Sequence, residues 1–452
     1  MKMTNLRNLL KSYGSRNIIG MYGIRDHGQF RGPRWTHDHS AACYSSSGKL
    51  DWYFELERLT DTKHDNKLEK HWRKTPLSIL EESNDFLVGS VSSFAGSSFV
   101  ARDGRLRIDC GLFSDNLTSP IIPARGSVST DPLQTFPAWG IAQELAHPFA
   151  GVAFTGIPSL PALLVHADGG ATVSSFSAFL WTENEIRCIE SDWETVYQAM
   201  NFGFNDLYHE IFGQNDNERL ATAGRLMGLA SFAKDVDIEM INWLDENNWF
   251  RNHWVNPNKF FLSAKKMYGW QGKLQNWEDP FIQQLAGCAQ YELQRKILFR
   301  LRRLAKKTGV RTLYAGGGIF LNVHLNRAIE REKLFDIFIV PPNTSDSGLG
   351  LGAACLLMWL RDNFIQPITP FIQFDTTNNK SLVVIPEIIE EVVDRIIQGQ
   401  AFAIVSGAAE AGPRALGHRS IICLPTTEVA NRISTEIKRR EWYRPVAPVG
   451  LT

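Results

Sequence analysis

The sequence has no surplus of charge of either sign: 48 Lys and Arg face 48 Asp and Glu across 452 residues. A chain so balanced has no global pull towards nucleic acid or an anionic membrane surface, which leaves only local basic sites open. Neither is expected as a partner. Cysteine is scarce. Cys43, Cys110, Cys188, Cys288, Cys355 and Cys423 stand far apart without a CxxC pair, so neither a disulfide framework nor a thiolate zinc site organises the fold. No run reaches 18 uncharged apolar residues, and Met1-Lys2-Met3-Thr4-Asn5-Leu6-Arg7 opens a charged amphipathic stretch, not a secretory leader. A cytoplasmic protein is the expectation. Glycine and proline are not in excess, at 35 and 20, and 44% hydrophobic residues suffice for two or three domains with separate cores.

Apolar runs bounded by turn residues carry the fold reading. Residues 17–24 and 39–45 read as strands, Ser45 to Lys49 as a turn, and Leu50 to Leu56 as a returning strand. This opening resembles an actin- or Hsp70-like nucleotide-binding lobe. The Ser- and Gly-rich segment 89–99 and the Pro- and Ser-rich segment 117–133 read as loops. Residues 138–147 read as a helix that Pro148 stops or kinks. A strand follows over Leu163–Asp168, runs into Gly169-Gly170, and returns through Phe176 to Trp181. Strand, acid and glycine turn thus occur twice, around Asp38 and around Asp168, a weak internal echo of two related lobes. Residues 195–310 read as mostly helical, with Asn217–Leu229 and Phe281–Lys306 clearest. The basic end Arg300, Arg302, Arg303, Lys306 and Lys307 reads as a solvated helix terminus. Strands are expected at 311–315 and 335–340, then a helix over Leu349–Leu360. The Pro- and Thr/Asn-containing stretch 363–382 reads as a linker to a small unit opened by helix 385–398 and strand 401–406.

Several clusters carry polar chemistry. His37-Asp38-His39 puts a carboxylate between imidazoles at the mouth of a strand, suited to a metal, a phosphate or a hydroxyl; the alternative is a turn whose Asp bonds its own backbone. Arg58 and Lys63 could neutralise phosphate oxygens, or be surface charges at an ordinary helix start. Asp168-Gly169-Gly170 could turn closely around a phosphate, or form any tight hairpin. Gly316-Gly317-Gly318 with Asn322 and Asn326, four apart on the following helix, offers a nucleotide seat, and Asp346 sits in a loop before another helix. For both stretches glycine-mediated helix packing is the alternative. Glu410 to Ser420 carries Arg414 and Arg419, and Lys438, Arg439, Arg440 and Arg444 lie downstream. Six basic groups in about thirty residues suggest an anion pocket, against a solvated basic edge.

Taken in order, these blocks resemble the O-carbamoyltransferase family, enzymes that carbamoylate nodulation factors, aminoglycosides, cephalosporins and related natural products. The matching stretches are His37-Asp38 with Ser40-Ala41-Ala42, Glu57-Arg58-Leu59-Thr60 with Lys63-His64-Asp65, Asp168-Gly169, and Gly224 to Ala230. They continue with Gly316-Gly317 through Asn322 and Asn326, Pro341-Pro342 through Asp346, Gly412 to Ser420, and Asn431 through Lys438-Arg439-Arg440-Glu441 to Arg444-Pro445. The resemblance implies an α/β protein: a two-lobed actin/Hsp70-like domain over 1–370, similar to the threonylcarbamoyl-transfer protein of tRNA modification. From 371 to 452 it implies the start of a smaller α/β domain similar to the threonylcarbamoyl-adenylate synthase. The family continues a hundred or more residues further, so this smaller domain is expected to be incomplete, or completed by a separate partner.

The implied activity is carbamoyl transfer from carbamoyl phosphate, via carbamoyl-adenylate formed with ATP, to a hydroxyl of a sugar or natural product. Arg414, Arg419, Lys438 and Arg444 stand where the family holds phosphate and carbamoyl groups, and Ala408 where it usually has arginine. Adenosine is expected against Gly316, Gly317 and Asn322, with the carbonyl near His37, Asp38, Asp168 and His147. Asp168 or Asp38 is the expected base. The family's divalent ion, ferrous or similar, sits on two histidines and an aspartate. Here His147 and Asp346 match, but Gln143 replaces the first histidine, so the metal site is expected to be weakened or absent. Loops 117–133 and 200–216 are expected to choose the acceptor. A catalytically impaired nucleotide-binding relative and a kinase on the same fold are the competing readings.

Overall fold

A computed structural model describes residues 3–23, 36–92, 99–110, 123–130, 134–193, 206–213, 219–250, 256–372, 386–444, 446–447 and 449–450. Ile24, Pro445 and residues 373–382 of the expected linker therefore lie outside the described residues, as do parts of both expected acceptor loops (117–122, 131–133, 200–205 and 214–216). The chain divides into two compact units. The first comprises residues 1–201, 296–374 and 411–413, and the second 202–295, 375–410 and 414–452.

The first unit is built on two sheets. Strands β1 (Asn17–Tyr22), β2 (Ser40–Tyr44), β3 (Leu50–Glu55), β4 (Phe86–Ser92), β5 (Phe99–Val100), β6 (Leu106–Cys110), β7 (Ala124–Thr130) and β8 (Gln134–Ala142) lie in the order β3-β2-β1-β4-β8-β7-β6-β5. Strands β9 (Ala162–Ala167), β10 (Phe176–Trp181), β11 (Ile186–Asp192), β12 (Thr312–Gly316) and β13 (Ile337–Ile339) lie in the order β11-β10-β9-β12-β13. In each sheet three antiparallel strands (β1–β3 and β9–β11) are followed by two that run parallel to the first of them, β4 and β8 in one sheet and β12 and β13 in the other. This five-strand arrangement, β3-β2-β1-β4-β8 in one sheet and β11-β10-β9-β12-β13 in the other with the same directions, is that of the two-lobed actin/Hsp70-like α/β fold. The echo seen in sequence has its counterpart here: Asp38 and Asp168 each lie in the connection between the first and second strands of their sheet.

Four helices matter for the site: α1 (Met3–Ser12), α2 (Gln143–Thr155), α3 (Val323–Glu332) and α4 (Leu349–Asp362). Helix α4 lies on β1, β2 and β4, α2 lies on β9 and β12, and the two helices pack on each other. Both are apolar nearly all round and buried along most of their length, as a helix between two layers must be. Glycines let the backbones meet: a Cβ on Gly352 would stand 1.8 Å from the Ala146 carbonyl oxygen, and one on Gly20 2.0 Å from that of Gly350. One face of α1 adds Leu6 and Leu10 to this core.

Several expectations are corrected. Residues 138–142 form the end of β8, and the helix begins at Gln143 and runs through Pro148 to Thr155. Pro148 lacks only the amide that would bond the Glu144 carbonyl, and burial of the helix on both sides holds that turn. The 89–99 segment contains most of β4 and 117–133 contains β7. Small residues are required there because Gly89 faces Ile141 and Leu357 at under 3 Å and Gly126 lies against the Asp109 carbonyl. The basic end of helix Pro280–Thr308 is not simply solvated. Arg300 reaches Glu190 and Asp192 at 2.6 Å each over the Phe176 ring, Arg303 pairs with Glu190, and Arg302 with Glu332.

The second unit contains helices Arg219–Leu229, Pro257–Tyr268, Pro386–Ile397 and Thr427–Arg432, and a two-stranded sheet of β14 (Phe402–Val405) and β15 (Arg419–Ile422). Trp243, Trp249, Phe260, Trp270 and Phe281 pack ring against ring in its helical part. A buried ion pair joins Arg225 to Glu441. Removing one partner of such a pair strands a buried charge, so Arg225→Met is expected to cost about 3–5 kcal/mol in urea unfolding, while Arg225→Met with Glu441→Leu recovers most of it.

Candidate active site

Loop 343–348, which connects β13 to α4, is clamped from several strands. The Tyr53 hydroxyl on β3 lies 2.7 Å from Glu55 Oε1 and 2.9 Å from the Ser347 carbonyl, and receives the Asn343 amide at 3.0 Å. Gly317 donates its N–H to the Thr344 carbonyl at 2.9 Å. At the end of β1 the Tyr22 hydroxyl donates to Asp346 Oδ2 at 3.0 Å, and the Gln143 amide donates to Asp346 Oδ1 at 3.3 Å. Asp346 is thereby fixed where the first turns of α2 and the end of β1 meet.

The residues singled out by sequence in this unit converge on it. His147 Nε2 lies 3.5 Å from Asp346 Oδ1 and 3.7 Å from Asp168 Oδ2. His37 Nε2 lies 3.9 Å from Asp346 Oδ2, and its Nδ1 bonds Asp38 Oδ2 at 2.9 Å. The other Asp38 oxygen bonds His64 Nδ1 at 2.8 Å. Asp38 takes φ +54°, a left-handed conformation uncommon outside glycine, asparagine and aspartate. Asp168 is set by backbone donors: Gly169 N–H bonds Oδ1 at 2.5 Å and Gly318 N–H bonds Oδ2.

Burial and neighbouring charge divide these groups. Burial alone would lower the His37 imidazole, but Asp346 and Asp38 outweigh it and carry it up to about 10. Burial would raise Asp38, yet the two imidazoles hold it far below the usual carboxylate range. Burial would likewise raise Asp346, and His37 and His147 keep it low. Asp168 is raised, by burial and by Asp346, against the opposing pull of His147 and its two backbone donors. The site therefore holds a cationic imidazole next to one carboxylate of raised basicity.

Other expected residues take structural positions. A Cβ on Gly316 would stand 2.4 Å from the His147 backbone, and Gly317, at φ +110°, has Ala167 backbone 2.3 Å from its missing Cβ. These glycines let the end of β12 close on α2 and β9. Asn322 is not on a helical face with Asn326. It caps α3, accepting the Leu325 N–H at 3.0 Å, while Asn326 donates to the Phe320 carbonyl. Arg58 is spent on the Gly412 carbonyl at 2.9 Å, beside Glu55, which accepts the Gly412 N–H. Glu144 accepts the Val173 N–H and lies 3.2 Å from Ser174 Oγ, so it organises the loop after Asp168 and is not turned to the His147 cluster.

Sequence reasoning missed His166 on β9, fully buried with its ring stacked 5.2 Å from His147. Its spacing could have found it, because residues two apart in extended chain share a face and Asp168 follows two residues on. His64 and Tyr22 were missed as site residues too, and only tertiary structure joins them to Asp38 and Asp346.

In the second unit the expected cations separate. Arg414, Lys438, Arg440 and Arg444 are all lowered, first by burial. Mutual repulsion follows: Arg414 with Arg444, Arg440 with both, and Lys438 with Arg440. Gly224 gives Arg444 room, since a Cβ there would stand 3.0 Å from Nη2. Arg419 instead donates to the carbonyls of Ser406, Gly407 and His418. Glu410 is a backbone clamp whose Oε1 accepts the N–H groups of Leu416, His418 and Arg419 at 2.9 Å each. Burial would raise Glu410, but these donors prevail and lower it to about 2. The unfolded carboxylate titrates near ~4.3, so the unfolded chain binds more protons between the two values. The stabilisation is complete above the unfolded value and is lost as pH falls through about 2. Glu410→Gln should flatten the acid limb of a stability–pH curve measured by urea unfolding.

A family model for the carbamoyltransferase N-terminus matches residues 168–355, and one for the carbamoyltransferase C-terminus matches residues 393–452. The chain belongs to the carbamoyltransferase family. Nodulation protein U of Bradyrhizobium diazoefficiens is 35% identical over 164 residues, covering 35% of this chain and 29% of that protein. Nodulation protein NolNO of Sinorhizobium fredii is 24% identical, covering 92% of this chain and 63% of its own length. An uncharacterised protein of Methanocaldococcus jannaschii is 28% identical over 64% of this chain and 58% of its own. The chain thus spans less than two thirds of each of these relatives. Among solved structures, full-length HypF in a phosphate- and nucleotide-bound form overlaps at TM-score 0.38 with 11% identity, over 77% of this chain and 56% of that one. No helix among the described residues is long and apolar enough to cross a membrane.

The divalent ion that the resemblance implies would draw on an imidazole at position 143. Gln143 offers an amide whose nitrogen is engaged with Asp346, whereas both ring nitrogens of His147 lack a hydrogen-bond partner. The three positions taken by resemblance therefore do not make a full ligand set.

Proposed function

We propose that the protein transfers a carbamoyl group from carbamoyl phosphate, via carbamoyl-adenylate formed with ATP, to a hydroxyl of a sugar or natural product. The observation that carries this reading is the meeting of His37, Asp38, His147, Asp168 and Asp346 from separate elements around one point. A carbamoyl-adenylate placed there, its adenosine towards Gly316, Gly317 and Asn322, meets two complementary groups. The cationic His37, oriented by Asp38 and His64, donates through Nε2 to the carbamoyl carbonyl oxygen as negative charge develops on it. Asp168 accepts the proton of the incoming hydroxyl. Of the two candidate bases it is the better one, because Asp168 is raised by burial and by Asp346, whereas the two imidazoles hold Asp38 strongly acidic. Fixing the hydroxyl beside Asp168 contributes as much as the base itself, through orientation.

Adenylation belongs, on this reading, to the cations Arg414, Lys438 and Arg444, with Arg440 added by the structure. Positioned cations suit phosphate oxygens among which charge moves as the mixed anhydride forms. Arg419 acts by shaping the turn at 406–407.

Incubation with ATP, carbamoyl phosphate and a panel of aminoglycoside, lipo-oligosaccharide and polyketide acceptors tests the proposal. AMP, pyrophosphate, inorganic phosphate and an O-carbamoylated product are expected. ADP with a phosphorylated product would replace the reading by a kinase. Nucleotide binding without turnover would favour the catalytically impaired alternative, for which the glutamine at position 143 speaks.

A further inference from the structure

Among the described residues Trp193 is the most exposed tryptophan, at 43%. A single exposed indole needs no explanation by itself; its position beside the loop that carries Asp168 does. The benzo end of the ring abuts Gly170, where a Cβ would stand 3.3 Å from Cζ3 and 3.8 Å from Cη2. Both sides of this contact are anchored. The carboxylate of Asp192, the preceding residue, is held by Arg300 at 2.6 Å, and its carbonyl accepts the Ser175 N–H at 3.0 Å. The loop closes where the Asp168 N–H bonds the Ser175 carbonyl at 3.0 Å, and Glu144 ties it to α2 by accepting the Val173 N–H. Strand β11 runs in the direction of β9, since both are antiparallel to β10, and β12 is parallel to β9. Asp168, Trp193 and Gly317 therefore follow the carboxyl ends of three strands at one edge of the sheet, where open α/β sheets bind ligands. In the order β11-β10-β9-β12, Asp168 stands between the indole on one side and Gly316-Gly317 on the other. The proposed adenosine seat lies on the Gly316 side, which leaves the Trp193 side to the acceptor.

We propose that Trp193 is a stacking platform for the acceptor, and that this acceptor is a sugar whose pyranose ring lies on the indole. The inference deepens the proposed carbamoyl transfer and rests on it. A pyranose has an apolar C–H face, which suits an aromatic ring, and hydroxyls around its rim, which need polar partners. Laid on the indole, it points those hydroxyls sideways, and Asp168 stands to the side. Gly170 is at most about 7 Å from Asp168 along the chain, so one sugar ring reaches from the indole to the carboxylate. Gly169 and Gly170 leave the floor between them bare of side chains. A polyketide macrolactone lacks a compact C–H face, and a planar aromatic ring would stack without offering a rim of hydroxyls.

Saturation-transfer NMR on the full chain, with methyl β-glucopyranoside and the N-acetylglucosamine dimer as probes, reads binding without requiring carbamoylation. Saturation is expected on the axial protons of one ring face. Trp193→Ala should weaken sugar binding about three- to tenfold, while Trp193→Phe retains most of it. In the carbamoylation assay Trp193→Ala should raise KM for a sugar acceptor by a similar factor, with kcat within about twofold. Unchanged sugar binding in Trp193→Ala overturns the proposal. A raised KM for ATP in place of the acceptor's does so too, since it would put the indole against adenine. No binding of either sugar by the wild-type protein, with or without binding of a polyketide alcohol, overturns the sugar assignment. Should Trp193→Ala fail to fold, Gly170→Ala decides in its place. Its methyl would fill the floor 3.3 Å from the ring, so sugar binding should fall, and wild-type affinity sinks the proposal. Sugar binding that depends on Trp193 without any carbamoylated product would overturn the proposed transfer and leave the platform standing.

Discussion

Asp168→Asn should lower the rate of acceptor carbamoylation by about 10²- to 10⁴-fold, the range of a positioned general base. Carbamoyl-phosphate-dependent exchange of labelled pyrophosphate into ATP should persist. The substitution preserves size and leaves Oδ1 able to accept the Gly169 N–H, while the amide nitrogen loses the bond from Gly318, so basicity is removed with a local adjustment at Gly318. The exchange reaction would be carried by the cations of the 414–444 region, which this change does not touch. If the variant carbamoylates its acceptor at the wild-type rate, Asp168 is not the proton acceptor. Loss of both partial reactions would point to a folding defect or an effect on nucleotide seating.

Gly352→Val should destabilise the first unit by at least about 3 kcal/mol, seen as an earlier transition in urea. The obstacle at position 352 is a backbone carbonyl 1.8 Å from where the Cβ would lie, and the next nearest atom is Ala146 backbone too. A side chain could rotate away; a helix backbone in a packed interior cannot. Helices α2 and α4 would have to separate, carrying His147 away from Asp346, so carbamoyl transfer should fall along with stability. Gly352→Ala should show the same effect at smaller size. A wild-type unfolding midpoint for the alanine variant would mean that the two helices are not in this contact.

The hairpins β1–β3 and β9–β10 could be read directly because apolar runs bounded by turn residues leave few alternatives. Strands β4 and β7 could not. Their serines and glycines look like loop, and only the proximity of α4 to Gly89 and of β6 to Gly126 explains why small residues suit a strand there. The end of β8 was hidden for the opposite reason, since a short apolar run carries no period that separates strand from helix. In the site, Asp38, Asp168, His147 and Asp346 were legible because their types and order match a family pattern. His166 was not, because a lone histidine in an apolar strand usually reads as core. The glycines at 316 and 317 were legible as special, but their close neighbour is the chain's own backbone.

The sequence by itself determined the family, the repeated strand–acid–turn pattern and the residue types available for chemistry, because these are properties of order and composition. The tertiary structure alone decided which imidazole faces which carboxylate, and therefore which groups are cationic and which are basic. Those properties depend on distances between residues up to 309 positions apart, such as His37 and Asp346, and on how deeply each is buried. Neither quantity is written in any local stretch of the chain.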